Sequence, residues 1–97
     1  MKVKFKLFAS LKRDRGVVEV EFEGRKLKDA LSELFKIYPE LKSIVEGDRI
    51  RDFYKIFVNG RDVEHLKGLE TELRDGDEIA IFPPIAGGLN SKISPIF

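Results

Sequence analysis

Near the N-terminus apolar and polar residues alternate with a period of two: Val3, Phe5 and Leu7 fall on one side, Lys2, Lys4 and Lys6, then Phe8, on the other. This predicts a β-strand from Val3 to Phe8 with one dry face. A polar stretch from Ser10 to Gly16 turns the chain. Val18, Val20 and Phe22 then alternate with Glu19, Glu21 and Glu23, which predicts a second strand. The period changes at Leu27. Leu27, Ala30, Leu31, Leu34, Phe35 and Tyr38 make one stripe at helical spacing that ends at Pro39, the mark of an amphipathic helix. No Ser, Thr, Asp or Asn stands just before Leu27, which leaves Gly24 as the best available cap.

Leu41, Ile44 and Val45 suggest a further short helical turn, and Gly47-Asp48-Arg49 reads as a loop. Tyr54, Ile56 and Val58 alternate with Phe53, Lys55 and Phe57 and run into Asn59-Gly60, a tight-hairpin signal, with Arg61 to Val63 as a short return strand. Leu66, Leu69 and Leu73 supply intermittent apolar contacts. Asp75-Gly76-Asp77 is a turn feeding the last strand, Glu78 to Phe82. An antiparallel hairpin, one helix and three further strands are most economically arranged as an α+β fold. Its mixed sheet has about five strands, with the main helix packed on one face.

Composition narrows the chemistry. Ninety-seven residues suit one domain. No apolar run approaches the roughly 20 residues of a membrane span, and the charged, alternating N-terminus is unlike a secretion signal, so the expectation is a cytoplasmic protein with no membrane partner. Eighteen basic and seventeen acidic residues are interleaved, which argues against a nucleic-acid partner. With no cysteine there is no thiol nucleophile and no disulfide framework. His65 is the sole imidazole, and the carboxylates show no ordered metal-ligand spacing, so neither a metal nor a bound cofactor is expected. No set of nucleophile, base and electrophile has convincing spacing, and the chain reads as a non-enzyme.

The most telling segment is Phe82-Pro83-Pro84-Ile85-Ala86-Gly87-Gly88. Pro83 and Pro84 lack amide donors and cannot continue a central ladder, so the chain must leave the sheet there. Six residues from Pro83 to Gly88, extended at roughly 3.3 Å each, reach about 20 Å from the domain body. Two glycines at the tip have no Cβ and can thread a narrow channel. The organisation is therefore a domain over 1–82, an extended arm over 83–88, and a C-terminal extension over 89–97 that lacks periodicity and is expected to be mobile.

With Lys6-Leu7-Phe8-Ala9, Val58-Asn59-Gly60, Asp75-Gly76-Asp77-Glu78 and the terminal arm in this order, the chain from Met1 to Gly88 resembles the β-grasp sulfur-carrier family. It is most similar to the small subunit of molybdopterin synthase, the MoaD-like proteins, with ThiS and ubiquitin as more distant relatives. The resemblance implies a ubiquitin-like β-grasp fold. It further implies that the carboxylate of Gly88 is adenylated by an ATP-using, MoeB-like enzyme and converted to a thiocarboxylate. Sulfur would then pass to a pterin precursor held by the large, MoaE-like synthase subunit in molybdenum or tungsten cofactor synthesis. ATP would be used by the activating enzyme, and this chain would be a carrier with no catalytic side chain of its own.

Parity adds an inference from the residues. If Val3, Phe5 and Leu7 face the helix, Phe8 faces away, and Phe57 and Phe82 do likewise when Ile56, Val58, Ile79 and Ile81 point inward. In the β-grasp strand order the first, last and third strands are neighbours. Phe8, Phe57 and Phe82 are thus expected to form an exposed patch beside the arm, a docking surface for both enzymes. The bland alternative is that distortion or a loop covers them.

Residues Leu89 to Phe97 depart from the family pattern, whose members end at the second glycine. While Leu89 is attached, Gly88 has no carboxylate to activate. A protease could remove residues 89–97, the segment could be an artificial or frameshifted addition, or the chain could be a paralogue that carries no sulfur. Two other readings stay open: a ubiquitin-like modifier conjugated through Gly88, and a plain β-grasp interaction module.

Overall fold

A computed structural model describes residues 1–84. The elements run β1 (Lys2–Leu7), β2 (Val17–Glu21), α1 (Leu27–Ile37), β3 (Val45–Glu46), β4 (Arg49–Ile50), β5 (Lys55–Val58), β6 (Arg61–Asp62) and β7 (Glu78–Phe82). Five strands form one mixed sheet in the order β2-β1-β7-β5-β6. Its centre is the parallel pair β1–β7, with Phe5 beside Ile79 and Leu7 beside Ile81; the other pairings are antiparallel. This is the predicted α+β architecture, a ubiquitin-like β-grasp.

The core follows from the two periodicities. Val3, Phe5, Leu7, Val20, Ile56, Val58, Ile79 and Ile81 are all buried on one sheet face. Leu27, Ala30, Leu31 and Leu34 of α1 are buried against them, so helix and sheet dry each other. On the outer face of β1 and β2, Lys2 pairs across from Glu21 and Lys4 from Glu19, which places opposite charges side by side on the solvated surface.

Four local features differ from the sequence reading. Phe8 lies one residue past β1, although its amide still donates to the carbonyl of Ile81 at 3.2 Å. Gly47-Asp48 is not an open loop but the turn of a two-stranded hairpin, β3–β4. Two-residue strands carry no detectable periodicity, so the pattern could not show it. The return after Asn59-Gly60 ends at Asp62, because Val63 starts a 3-10 turn and is buried.

The fourth difference is the helix cap. Gly24 does not cap α1. Asp29, in the first turn, reaches back and accepts from the amides of Lys26 at 3.0 Å and Arg25 at 3.2 Å. Lys26, at the cap position, has no side-chain oxygen with which to reciprocate. Gly24 makes room instead: a Cβ there would lie 2.6 Å from Asp29 Oδ2, and its φ of +121° is one that glycine adopts freely. The same end of the helix is stitched to the 71–73 segment by Leu27 N–H to Thr71 O at 2.8 Å and Leu73 N–H to Arg25 O at 2.7 Å.

Candidate functional site

The site lies at the end of β7, where the chain leaves the sheet. Ile79 and Ile81 anchor β7 in the core, so the departing Pro83-Pro84 segment has a rigid base. Proline at both positions ends the ladder in a defined direction.

On the outer sheet face three aromatics meet. The Phe8 and Phe82 rings stack with centroids 4.4 Å apart and planes 8° from parallel, and Phe57 meets Phe82 edge-on at 5.6 Å and 85°. Register explains the contact. Phe57 pairs with Ala80 and Lys55 with Phe82, so Phe57 and Phe82 are diagonal neighbours, within aromatic reach. Phe8 and Phe82 are 36% and 37% exposed, whereas Phe57 is only half-buried rather than open. It therefore supports the patch more than it presents it.

A fourth aromatic belongs here. Phe53 is 80% exposed and lines an apolar groove of about 770 Å³ together with Phe57, Phe82, Pro83 and Pro84. Its φ of +72° is in the left-handed region, where bulky side chains are costly. In the sequence Phe53 shares parity with Phe57, yet it sits before β5 begins, and nothing in the pattern marks its backbone. Lys55 on the groove's rim pairs with Glu64 at 3.3 Å and Asp62 at 3.6 Å. Hydrogen bonding from its ammonium to Glu64 raises its pKa above the ordinary lysine value. The rim charge is thus held on the protein's own carboxylates, leaving the groove apolar.

The structure places Pro83 and Pro84 on the groove wall. The arm residues Ile85, Ala86 and Gly87, and Gly88, the position expected to be modified, lie outside the described residues, as does the extension 89–97. Among the described residues no group of three or more His, Cys, Asp or Glu side chains could hold a metal ion. No helix there is long and apolar enough to cross a membrane.

A family model described as "ThiS family" matches residues 5–88. The molybdopterin synthase sulfur carrier subunit of Chlamydomonas reinhardtii is 33% identical over 92 residues, covering 91% of this chain and all of that one. Among solved structures, the small archaeal modifier protein 1 of Methanosarcina acetivorans superposes with a TM-score of 0.76 at 38% identity, covering 90% of this chain and 96% of that one. A chain of the BexX/CysO complex of Amycolatopsis orientalis gives a TM-score of 0.73 at 28% identity, covering 89% of this chain and 99% of that one.

Proposed function

This chain belongs to the ThiS family, a family of sulfur carriers and ubiquitin-like small modifiers, and from that premise we propose that it is the sulfur-carrying small subunit of a molybdopterin synthase. The observation that carries the reading is the arm's base: Pro83 and Pro84 leave the sheet beside an apolar, aromatic-lined groove, and the family match ends at Gly88.

The chemistry explains the need for partners. A main-chain carboxyl has an ordinary pKa of about 3.5 and is an anion at neutral pH, so a sulfur nucleophile meets no electrophile. In the proposed sequence a protease first cuts after Gly88. A carboxylate oxygen of Gly88 then attacks the α-phosphorus of ATP in a MoeB-like enzyme, and pyrophosphate leaves. A sulfide-level sulfur attacks the resulting acyl carbon and AMP departs, leaving a thiocarboxylate. A MoaE-like subunit finally receives the arm, the thiocarboxylate sulfur bonds to a pterin precursor for molybdenum or tungsten cofactor, and water cleaves the acyl–sulfur bond to return the Gly88 carboxylate.

The chain's own contribution is presentation. It holds a slender end group at the edge of a rigid sheet and offers Phe8, Phe82 and Phe53 for docking, with Phe57 behind them. It supplies no catalytic side chain, its one reacting group being the Gly88 carboxyl, and its place of work is the cytoplasm, where ATP is available.

Mass analysis of the chain isolated from its own cells tests this. The expected result is a terminus at Gly88 with one oxygen replaced by sulfur. Finding only uncleaved, unmodified chains during cofactor-requiring growth would overturn it. A second reading, a modifier joined to lysines through Gly88, is favoured by the likeness to a small archaeal modifier protein. Isopeptide remnants on cellular proteins, without a stable complex with a larger synthase subunit, would select it.

A further inference from the structure

At the opposite end of β7 from the arm lies a second concavity, of about 790 Å³, built from three separate stretches of chain. The β5–β6 hairpin contributes Arg61, a 3-10 turn and the link after it contribute His65 and Lys67, and the run into β7 contributes Arg74. Its apolar lining comes from Val58 and Leu66, which are largely buried. The cations form its exposed rim.

These cations are unspent. Among the described residues Arg61, Lys67 and Arg74 form no ion pair, whereas Lys6, Arg15, Lys26, Lys28 and Lys55 all do. Two carboxylates share the groove. One is turned to internal use: Asp77 accepts from Asn59 Nδ2 and from the Arg74 amide, both at 2.8 Å, and so fixes the turn into β7. Glu72 is the other. Arg61, Lys67 and Arg74 outnumber the two carboxylates around Val58 and Leu66, and this cationic excess complements an acidic segment that carries an apolar side chain.

We propose that this groove is a second protein-docking site, distinct from the aromatic end, and that it takes an acidic, extended segment of a partner protein. Separation gives it a use. From Asp77 to Pro83 is six residues of extended chain, about 20 Å at roughly 3.3 Å per residue. A partner held at the cationic end leaves the aromatic patch and the arm free, so the carrier can stay tethered to one protein while another works on its terminus. Where both contacts belong to one partner or one assembly, the first raises the effective concentration of the second without new contacts at the reacting end.

The test uses the full 97-residue chain and an N-acetylated, amidated peptide, Glu-Asp-Leu-Asp-Glu, followed by amide chemical shifts. The expected shifts are confined to Asn59–Arg61, His65–Lys67 and Thr71–Asp77. Affinity should fall roughly tenfold or more between about 20 and 300 mM salt and in the triple reversal R61E/K67E/R74E. The neutral triple variant R61Q/K67Q/R74Q, checked for a native spectrum, should weaken binding in the same direction, and Phe82→Ser should leave it unchanged. Shifts spread over the Lys2, Lys4 and Lys6 face, binding that survives both triple variants, or no binding at all would overturn the proposal. So would displacement of the peptide by a lower concentration of single-stranded oligouridine, which would mark a nucleic-acid site instead. Loss of the Gly88 chemistry would leave every one of these readouts intact.

Discussion

Phe8 and Phe82 lie ring on ring beside the parallel β1–β7 pair, at 4.4 Å and 8°, although they stand near opposite ends of the described chain. Each remains more than one-third exposed, so the stack covers only part of the apolar surface it brings together. Aromatic surface left open on a rigid sheet is better suited to a partner than to the core.

Phe82→Ser therefore separates binding from folding. Removing a half-open ring and its stack should cost no more than about 1.5 kcal/mol of stability. Affinity for the proposed activating enzyme, measured by calorimetry, should drop by about tenfold or more. A comparable loss of both would mean that Phe82 is a core residue.

Phe53→Asn should have the opposite stability sign. Asparagine tolerates the left-handed backbone that phenylalanine adopts here at φ +72°, so thermal stability should hold or rise by up to about 1 kcal/mol. Partner affinity should fall, because one wall of the apolar groove is gone.

Gly24→Ala should destabilise by about 1–3 kcal/mol in a denaturant titration, through both its φ of +121° and the 2.6 Å approach of the new Cβ to Asp29 Oδ2. The helix start loses its only side-chain cap if Asp29 moves away. Asp29→Ala alone should cost about 1 kcal/mol.

Glu70 sets an acid-sensitive contact. Hydrogen bonds from the Lys26 and Lys28 ammonium groups lower its pKa from 4.5 to about 2. A carboxylate held below its unfolded value stabilises the fold above that value and loses the contribution as pH falls through the folded one. Glu70→Gln should lower the melting temperature at pH 7, and the difference from the parent should fade between pH 4.5 and about 2. The effect is modest because the pair is solvated.

Much of this was legible before folding. Alternation at Val3/Phe5/Leu7 and at Ile56/Val58 named the buried sheet face, the Leu27–Leu34 stripe named the helix, and Asn59-Gly60 and Asp75-Gly76 named the turns, because each is a local signal repeated within a few residues. Two prolines after an apolar run marked where the sheet ends for the same reason. Local signals cannot report what distant residues do to each other. Only the β2-β1-β7-β5-β6 order brings Phe82 against both Phe8 and Phe57, and only packing leaves Phe57 half-covered and Phe53 exposed on a strained backbone. The cationic groove belongs with these, since Arg61, Lys67 and Arg74 come from separate stretches of chain and become neighbours only when β6 and the run into β7 close around Val58 and Leu66.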